Sequence, residues 1–137
     1  MILLDTGPIV AFLDASDHYH DACIELLKTV NEPLLTTWPV LTETFYLLGF
    51  SWKAQDNLWE FIIRGGVDII SLNDTQQARC RQLMEKYSDL PMDLADGTLV
   101  TLAESQRIKK VLTLDHKDFR IYKPARIKNF TLIPARI

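Results

Sequence analysis

Between Leu90 and Phe119 the chain runs Leu-Pro-Met-Asp-Leu-Ala-Asp-Gly, then a helical stretch, then Val-Leu-Thr-Leu-Asp-His-Lys-Asp-Phe, and this segment constrains the fold most tightly. Pro91 and Asp93 are helix-start signals, Asp93 being a good N-cap. On a helical wheel Ala95, Leu99, Leu102 and Ala103 form one apolar arc with Val100 at its edge, and Asp96 falls inside that arc. A carboxylate among core-facing residues is costly to desolvate unless something pairs with it. The helix ends near Gln106 or Arg107. Val111-Leu112-Thr113-Leu114 then reads as a short buried strand with Asp115 at its carboxyl end. Ligands of open α/β sheets bind outside the carboxyl ends of the strands. One αβ unit therefore offers two acids, Asp96 and Asp115, to a common site.

The rest of the chain repeats this alternation. Ile2-Leu3-Leu4 is a short strand ending in Asp5, Thr6-Gly7-Pro8 breaks it, and a helix starts at Ile9 with Pro8 near its first position. A second helix is predicted from Asp17 to Val30, with Ala22, Cys23, Leu26, Leu27 and Val30 as its apolar stripe. His18 and His20, two apart on that helix, point to different faces and do not suit a shared metal. Residues 33–37 form the second strand, and Pro39 opens a helix over 40–48 closed by Gly49. Glu43, the one charged residue between Pro33 and Trp52, shares a helix face with Val40 and Leu47. The helix dipole favours a surface acid near an N-terminus but explains poorly one ringed by apolar residues. A further helix runs from Ser51 to Arg64, where Trp52, Trp59 and Ile62 or Ile63 share a stripe that packs into the core or else meets a partner. Residues 67–72 make a third strand, Asn73 or Asp74 caps a helix through Tyr87, and after Phe119 a basic link leads to a last strand over 130–133.

Strands alternating with helices predict an α/β fold: a central parallel sheet flanked by helices on both faces, in a single domain spanning 1–137. At 137 residues such a domain buries roughly two-thirds of its unfolded surface. No apolar run approaches a membrane span, the acidic N-terminus is no signal peptide, and Cys23 and Cys80 lack metal-type spacing. These features predict a cytoplasmic protein with free thiols and no membrane association. The net charge of −3 conceals a division: residues 1–106 hold six Lys/Arg against sixteen Asp/Glu, and residues 107–137 hold nine against two. The basic third is either a surface for a polyanion or a solvated face with a tail.

In this architecture Asp5 and Asp115 sit at strand ends, and Glu43 and Asp96 in the first turns of helices on the same sheet edge. Two like charges ~4 Å apart repel by about 4 kcal/mol at an effective dielectric near 20, so four ionised acids in a half-buried cleft call for a cation. All-oxygen ligands suit Mg²⁺ or Mn²⁺ rather than zinc. A hard dication in an open acidic site suits phosphoryl chemistry.

Leu3-Leu4-Asp5-Thr6, a Glu alone in an apolar helix, Asp93-Leu94-Ala95-Asp96-Gly97 and Thr113-Leu114-Asp115-His116-Lys117-Asp118-Phe119 together resemble a PIN domain, and more closely the VapC-type ribonuclease toxins of toxin–antitoxin pairs. The resemblance covers nearly the whole chain. It implies a Mg²⁺- or Mn²⁺-dependent RNA endonuclease, a homodimer, and a cognate antitoxin as partner. Carried over by position, the catalytic, metal-binding acids are Asp5, Glu43, Asp96 and Asp115, and the hydroxyls of Thr6 and Thr113 neighbour the site. Asp93 reads as an N-cap that can also touch metal directly or through water, Asp118 as a residue ordering the loop, and His116 as an exposed loop residue. Leu114 stands where the family often has Arg, a basic contact that Lys117 or Arg120 can replace. Lys117, Arg120 and Lys123 are the expected RNA-backbone contacts. Two other readings compete: a PIN-like RNA or protein interaction module without catalysis, and a receiver-like signalling domain. The latter needs an acidic pair after its first strand and an acceptor Asp after its third, where this chain has Asp5 alone and Ser71-Leu72.

Overall fold

The computed structural model of the chain describes residues 1–90 and 92–136. In chain order its elements are β1 (Ile2–Leu4), α1 (Thr6–Leu13), α2 (His20–Thr29), β2 (Leu34–Thr36), α3 (Trp38–Leu47), α4 (Trp52–Ile63), β3 (Asp68–Ile69), α5 (Asp74–Lys86), α6 (Leu94–Gln106), β4 (Lys110–Leu112), α7 (His116–Ile121) and β5 (Thr131–Ile133). The strands pair in the order β3-β2-β1-β4-β5, every pairing parallel. β1 is central: Ile2 lies opposite Leu34 on one side and Lys110 on the other, Leu3 opposite Leu35 and Val111. Parallel strands covered on both faces are apolar throughout, and all three residues of β1 are buried. Strand order reverses at β1, so the carboxyl ends of β1 and β4 flank the topological switch point where open α/β sheets take their ligands.

Helix α6 is the core helix. Ala95, Leu99, Val100, Leu102 and Ala103 are at most 5% exposed, as the wheel of apolar positions required. Helix α5, started by a capping box of Asn73 and Gln76, packs along it. The two are tied by Arg79, whose Nε and Nη2 donate to Glu104 Oε1 and Oε2 at 2.7 and 2.9 Å. Glu104 Oε2 also accepts from the backbone N–H of Ala125 at 2.9 Å, which fastens the segment after α7 to α6. At the end of α4, Gly65 adopts φ +80°, and a Cβ on Gly66 would lie 2.4 Å from the Phe61 ring. Gly65-Gly66 therefore stop the helix where a side chain would be strained or would displace the Phe61 ring.

Several elements depart from the sequence reading. Helix α1 starts at Thr6 rather than Ile9, because Asp5 already has extended N-cap geometry. Helix α2 starts at His20, after a turn in which Asp17 Oδ1 accepts from Tyr19 N–H, and Ala22 of its expected stripe is exposed. His20 Nδ1 contacts the Ala11 carbonyl at 2.7 Å, joining α2 to α1. The third strand shrinks to two residues. The segment after the fourth strand, read as a loop ahead of the basic link, is a helix, α7, whose first turn is capped where Asp118 N–H donates to Asp115 Oδ1. His116, read as exposed, is its first residue and is buried, its Nε2 without a hydrogen-bond partner among the described residues.

The Trp52/Trp59 stripe does not enter the core. Trp52 is 69% exposed and Ile63 73%; Ile62 alone packs partly against the core. Trp59 leans on Phe45 and Trp38, with ring centroids 4.9 and 6.4 Å away, and Tyr46, Leu47 and Phe50 are exposed nearby in sequence. Helices α3 and α4 thus present large apolar side chains to solvent. No helix among the described residues is long and apolar enough to cross a membrane.

Candidate active site

The chain leaves β1 at Leu4, and the next residue, Asp5, is 7% exposed, its N–H still paired to the Leu112 carbonyl of β4 at 3.0 Å. Across the strand pair, fully buried Thr113 donates its hydroxyl to Asp5 Oδ2 at 2.6 Å and accepts from Asp115 N–H at 2.9 Å. One threonine therefore couples the first acid to the turn that carries another. Asp93 caps α6 by accepting from Asp96 N–H at 2.8 Å, which sets Asp96 in the first turn. The Asp96 side chain receives the Tyr122 hydroxyl on Oδ2 at 2.7 Å. Glu43 reaches the cleft from the second turn of α3, not the first, because that helix begins two residues earlier than Val40.

Asp5, Glu43, Asp93, Asp96, Asp115 and Asp118 line one open cleft with Thr6, Gly7, Leu47 and Leu114, and its lining contains no Lys, Arg or His. The four expected acids thus share a site. The closest group within it differs from the expectation: one carboxylate oxygen each from Asp96, Asp115 and Asp118 lie within 4.8 Å of one another. Asp118 was expected only to order a loop. Helix α7 brings it in, since an acid three residues after an N-cap returns to the helix mouth. An Asp-x-x-Asp spacing was the available signal, legible only to a reader who placed a helix there. Tyr122 gave no signal in the sequence; it meets Asp96 only because the chain leaving α7 returns to the start of α6. Lys117 and Arg120 are exposed on α7. The Lys123 ammonium instead donates to the Arg120 carbonyl and to Asn129 Oδ1, both at 3.0 Å, which ties down the loop. The Thr6 hydroxyl is buried, 3.5 Å from the Val40 carbonyl.

Burial and mutual repulsion oppose ionisation here. Burial, partly offset by the Thr113 hydroxyl, pushes Asp5 up to about 6. Burial and then the Asp5 charge push Asp96 up to about 8, against the pull of Tyr122. Glu43 is raised by burial and by Asp93 and Asp5, and Asp118 by burial and by Asp115. Tyr122 is raised by burial and by its bond to Asp96, so it stays a phenol and donates.

The carboxyl edge of a parallel sheet, at its switch point, here carries a cleft of acids lined by no cationic side chain, a setting that suits a hard divalent cation and phosphoryl chemistry. The chain belongs to the PIN-domain family, whose model matches residues 2–124. It is 25% identical over 135 residues to ribonuclease VapC26 of Mycobacterium tuberculosis, covering 97% of this chain and 100% of that protein. Its fold is similar to that of VapC20, a sarcin-ricin-loop-cleaving toxin of the same organism, with a TM-score of 0.70 at 18% identity, over 81% of this chain and 87% of that one. It is also similar to a chain in the structure of VapBC2 from Rickettsia felis bound to a promoter DNA fragment, with a TM-score of 0.61 at 21% identity, over 96% of this chain and 97% of that one. A toxin–antitoxin complex from Klebsiella pneumoniae gives 0.65 at 18%, over 100% of this chain and 96% of the other. Family membership leaves the receiver-like alternative without support.

An acid whose folded value is raised binds its proton more tightly folded than unfolded, so stability is lost as pH rises from the unfolded to the folded value. For Asp96 that window runs from its ordinary 3.8 to about 8, and for Asp5 from 3.8 to about 6. Glu104, pushed up by burial but held low on balance by Arg79 and the Ala125 N–H, acts in the opposite sense but only in the acid range. In a chelating buffer the melting temperature is therefore expected to fall between pH 5 and pH 8, by on the order of 5 °C. Differential scanning calorimetry of wild type and Asp96→Asn checks this. The variant's profile should be flatter, and a wild-type Tm that rises over that range would show that the acids are not mutually destabilising.

Proposed function

We propose that this chain is a divalent-metal-dependent endoribonuclease that hydrolyses RNA phosphodiester bonds, and the toxin of a toxin–antitoxin pair. The observation that carries the reading is the cleft of six carboxylates with no basic side chain in its lining. Such a donor set, hard and all-oxygen, fits Mg²⁺ or Mn²⁺. Membership of the PIN family and the likeness to a protein named ribonuclease VapC26 support an RNA substrate. Residues 1–137 form one PIN domain in this reading, and its place of action is the cytoplasm.

Asp96 and Asp115, with Asp118 beside them, would hold the metal, and Asp5 and Glu43 complete the acidic wall. Asp93 is the N-cap that sets Asp96 in place. When bound, the metal supplies charge neutralisation for the phosphate and lowers the pKa of attacking water. The Thr113 hydroxyl holds Asp5 in one orientation, and Thr6 stands behind Glu43 as a neighbouring hydroxyl. Lys117 and Arg120 on the exposed face of α7 hold RNA backbone at the rim. Lys123 serves that face by ordering the loop behind it. The exposed side chains of α3 and α4 take protein partners: a second copy in a homodimer and the cognate antitoxin, consistent with the toxin–antitoxin complexes among the structural relatives.

Asp96→Asn keeps the shape and the acceptor for Tyr122 while removing one charge. It is expected to reduce cleavage of an RNA pool at saturating Mg²⁺ or Mn²⁺ by at least about 10²-fold, with the chelated protein as stable as wild type or more so. Cleavage within about threefold of wild type would show that Asp96 is a capping residue only and that the site is misassigned.

Binding of oligoribonucleotides by the Asp96→Asn protein in EDTA should weaken with salt. Replacing Lys117 and Arg120 by Ala should lower the slope of log affinity against log salt by roughly 1.4, the amount expected for two single-strand phosphate contacts. Filter binding over a salt series measures it, and an unchanged slope removes these two residues from the interface.

Light scattering should report a mass twice that of the chain, reduced towards monomer by Trp52→Asp. A monomeric wild type at high concentration would overturn self-association through this face.

A further inference from the structure

We propose that Tyr122 is the positioning residue of the metal site: its hydroxyl fixes which way the Asp96 carboxylate faces, and so sets the affinity of the cleft for its cation. This rests on the functional reading above. The hydroxyl lies 2.7 Å from Asp96 Oδ2, and Asp96 is its hydrogen-bond partner among the described residues. The ring is 1% exposed and meets Tyr87 and Phe119 edge-on, at centroid distances of 5.2 and 5.4 Å. Phenylalanine would pack in that cluster equally well. The hydroxyl therefore adds to packing nothing that the ring does not supply; what it adds is the bond to Asp96.

The backbone around Tyr122 is held as firmly as its ring. Its N–H donates to the Asp118 carbonyl at 3.1 Å, and the following N–H, of Lys123, donates to the Tyr87 hydroxyl at 2.8 Å. Asp115 and Asp118 stand at the start of α7, and Tyr122 caps its end. One short helix thus delivers two of the three clustered acids and also the donor that orients the third, which belongs to α6. A carboxylate bound through one oxygen has lost its freedom about χ2, so the geometry offered to a cation is set before the cation arrives. The donor is also neutral. A lysine or arginine in its place would orient Asp96 while cancelling the negative charge that draws the cation in. A phenol orients without neutralising.

The test titrates Mn²⁺ alone into wild type, Tyr122→Phe, Asp96→Asn and Phe119→Leu, following free Mn²⁺ by electron paramagnetic resonance at a temperature where circular dichroism reports each protein folded. Loss of an outer partner of a metal ligand costs 10–100-fold in metal affinity, so Tyr122→Phe should bind Mn²⁺ about tenfold more weakly. Its cleavage rate should recover to near the wild-type plateau at saturating Mn²⁺. Phe119→Leu loosens the same aromatic cluster without touching the hydroxyl, and should melt lower with Mn²⁺ affinity unchanged. If Tyr122→Phe binds Mn²⁺ within about twofold of wild type while Asp96→Asn loses it, the hydroxyl is only a packing group and the proposal is overturned with the site reading intact. If Phe119→Leu weakens Mn²⁺ binding as much as Tyr122→Phe, the effect is one of packing and the proposal is overturned. A wild type that takes up no Mn²⁺ overturns the site reading, and the proposal falls with it.

Discussion

Repulsion among acids at the switch point of the sheet is the constraint to which the rest of this molecule answers. Six carboxylates share one cleft without a positive side chain in its lining. A pair of like charges ~4 Å apart costs about 4 kcal/mol at an effective dielectric near 20, a large fraction of a domain's net stability. Burial first, with the neighbouring acids adding to it, pushes Asp5 up to about 6 and Asp96 up to about 8, so part of the cluster holds protons when no cation is near. A site built this way is weakened for folding by the same charges that, in the proposed function, would hold a cation.

Holding mutually repelling groups together requires that each be fastened from behind. Thr113 does so for Asp5 and for the turn to Asp115, Asp93 for the first turn of α6, and Tyr122 for the Asp96 side chain. These fasteners are themselves tied to the core. Tyr122 and Phe119 are at most 1% exposed, and Glu104, ion-paired with Arg79 on α5, secures the backbone after α7 through Ala125. The dry core and the wet cleft are thus connected through α6 and α7.

A different part of the surface is left uncovered. Trp52, Phe50, Tyr46 and Ile63 are each more than 60% exposed, an unusual density of large apolar side chains on α3, α4 and the turn between them. Water solvates such a face poorly. The sequence pattern that places Trp52 and Trp59 seven apart is equally good for core and for partner, because periodicity reports that a helix has an apolar side and not what covers it.

Periodicity and strand-end acids were enough to read the α/β class, the parallel sheet, the core face of α6 and the four acids on one edge, because alternation of short apolar runs with helices admits few topologies. The same reading missed α7, put Glu43 in a first turn, and took His116 and Asp118 for loop residues. Residues 116–121 are mostly polar and too few to show a period, and their helix exists because Asp115 caps it and Phe119 packs beneath it. Composition and pattern along the chain therefore determined the sheet, the helices that bury a stripe, and the acidic character of the cleft. Tertiary structure alone decided that Asp118 joins Asp96 and Asp115, that Lys123 binds its own loop, and that Tyr122 grips Asp96 from 26 residues away. The contacts to Asp96 join segments far apart in the chain, and no local pattern encodes how the turn around α7 meets the start of α6.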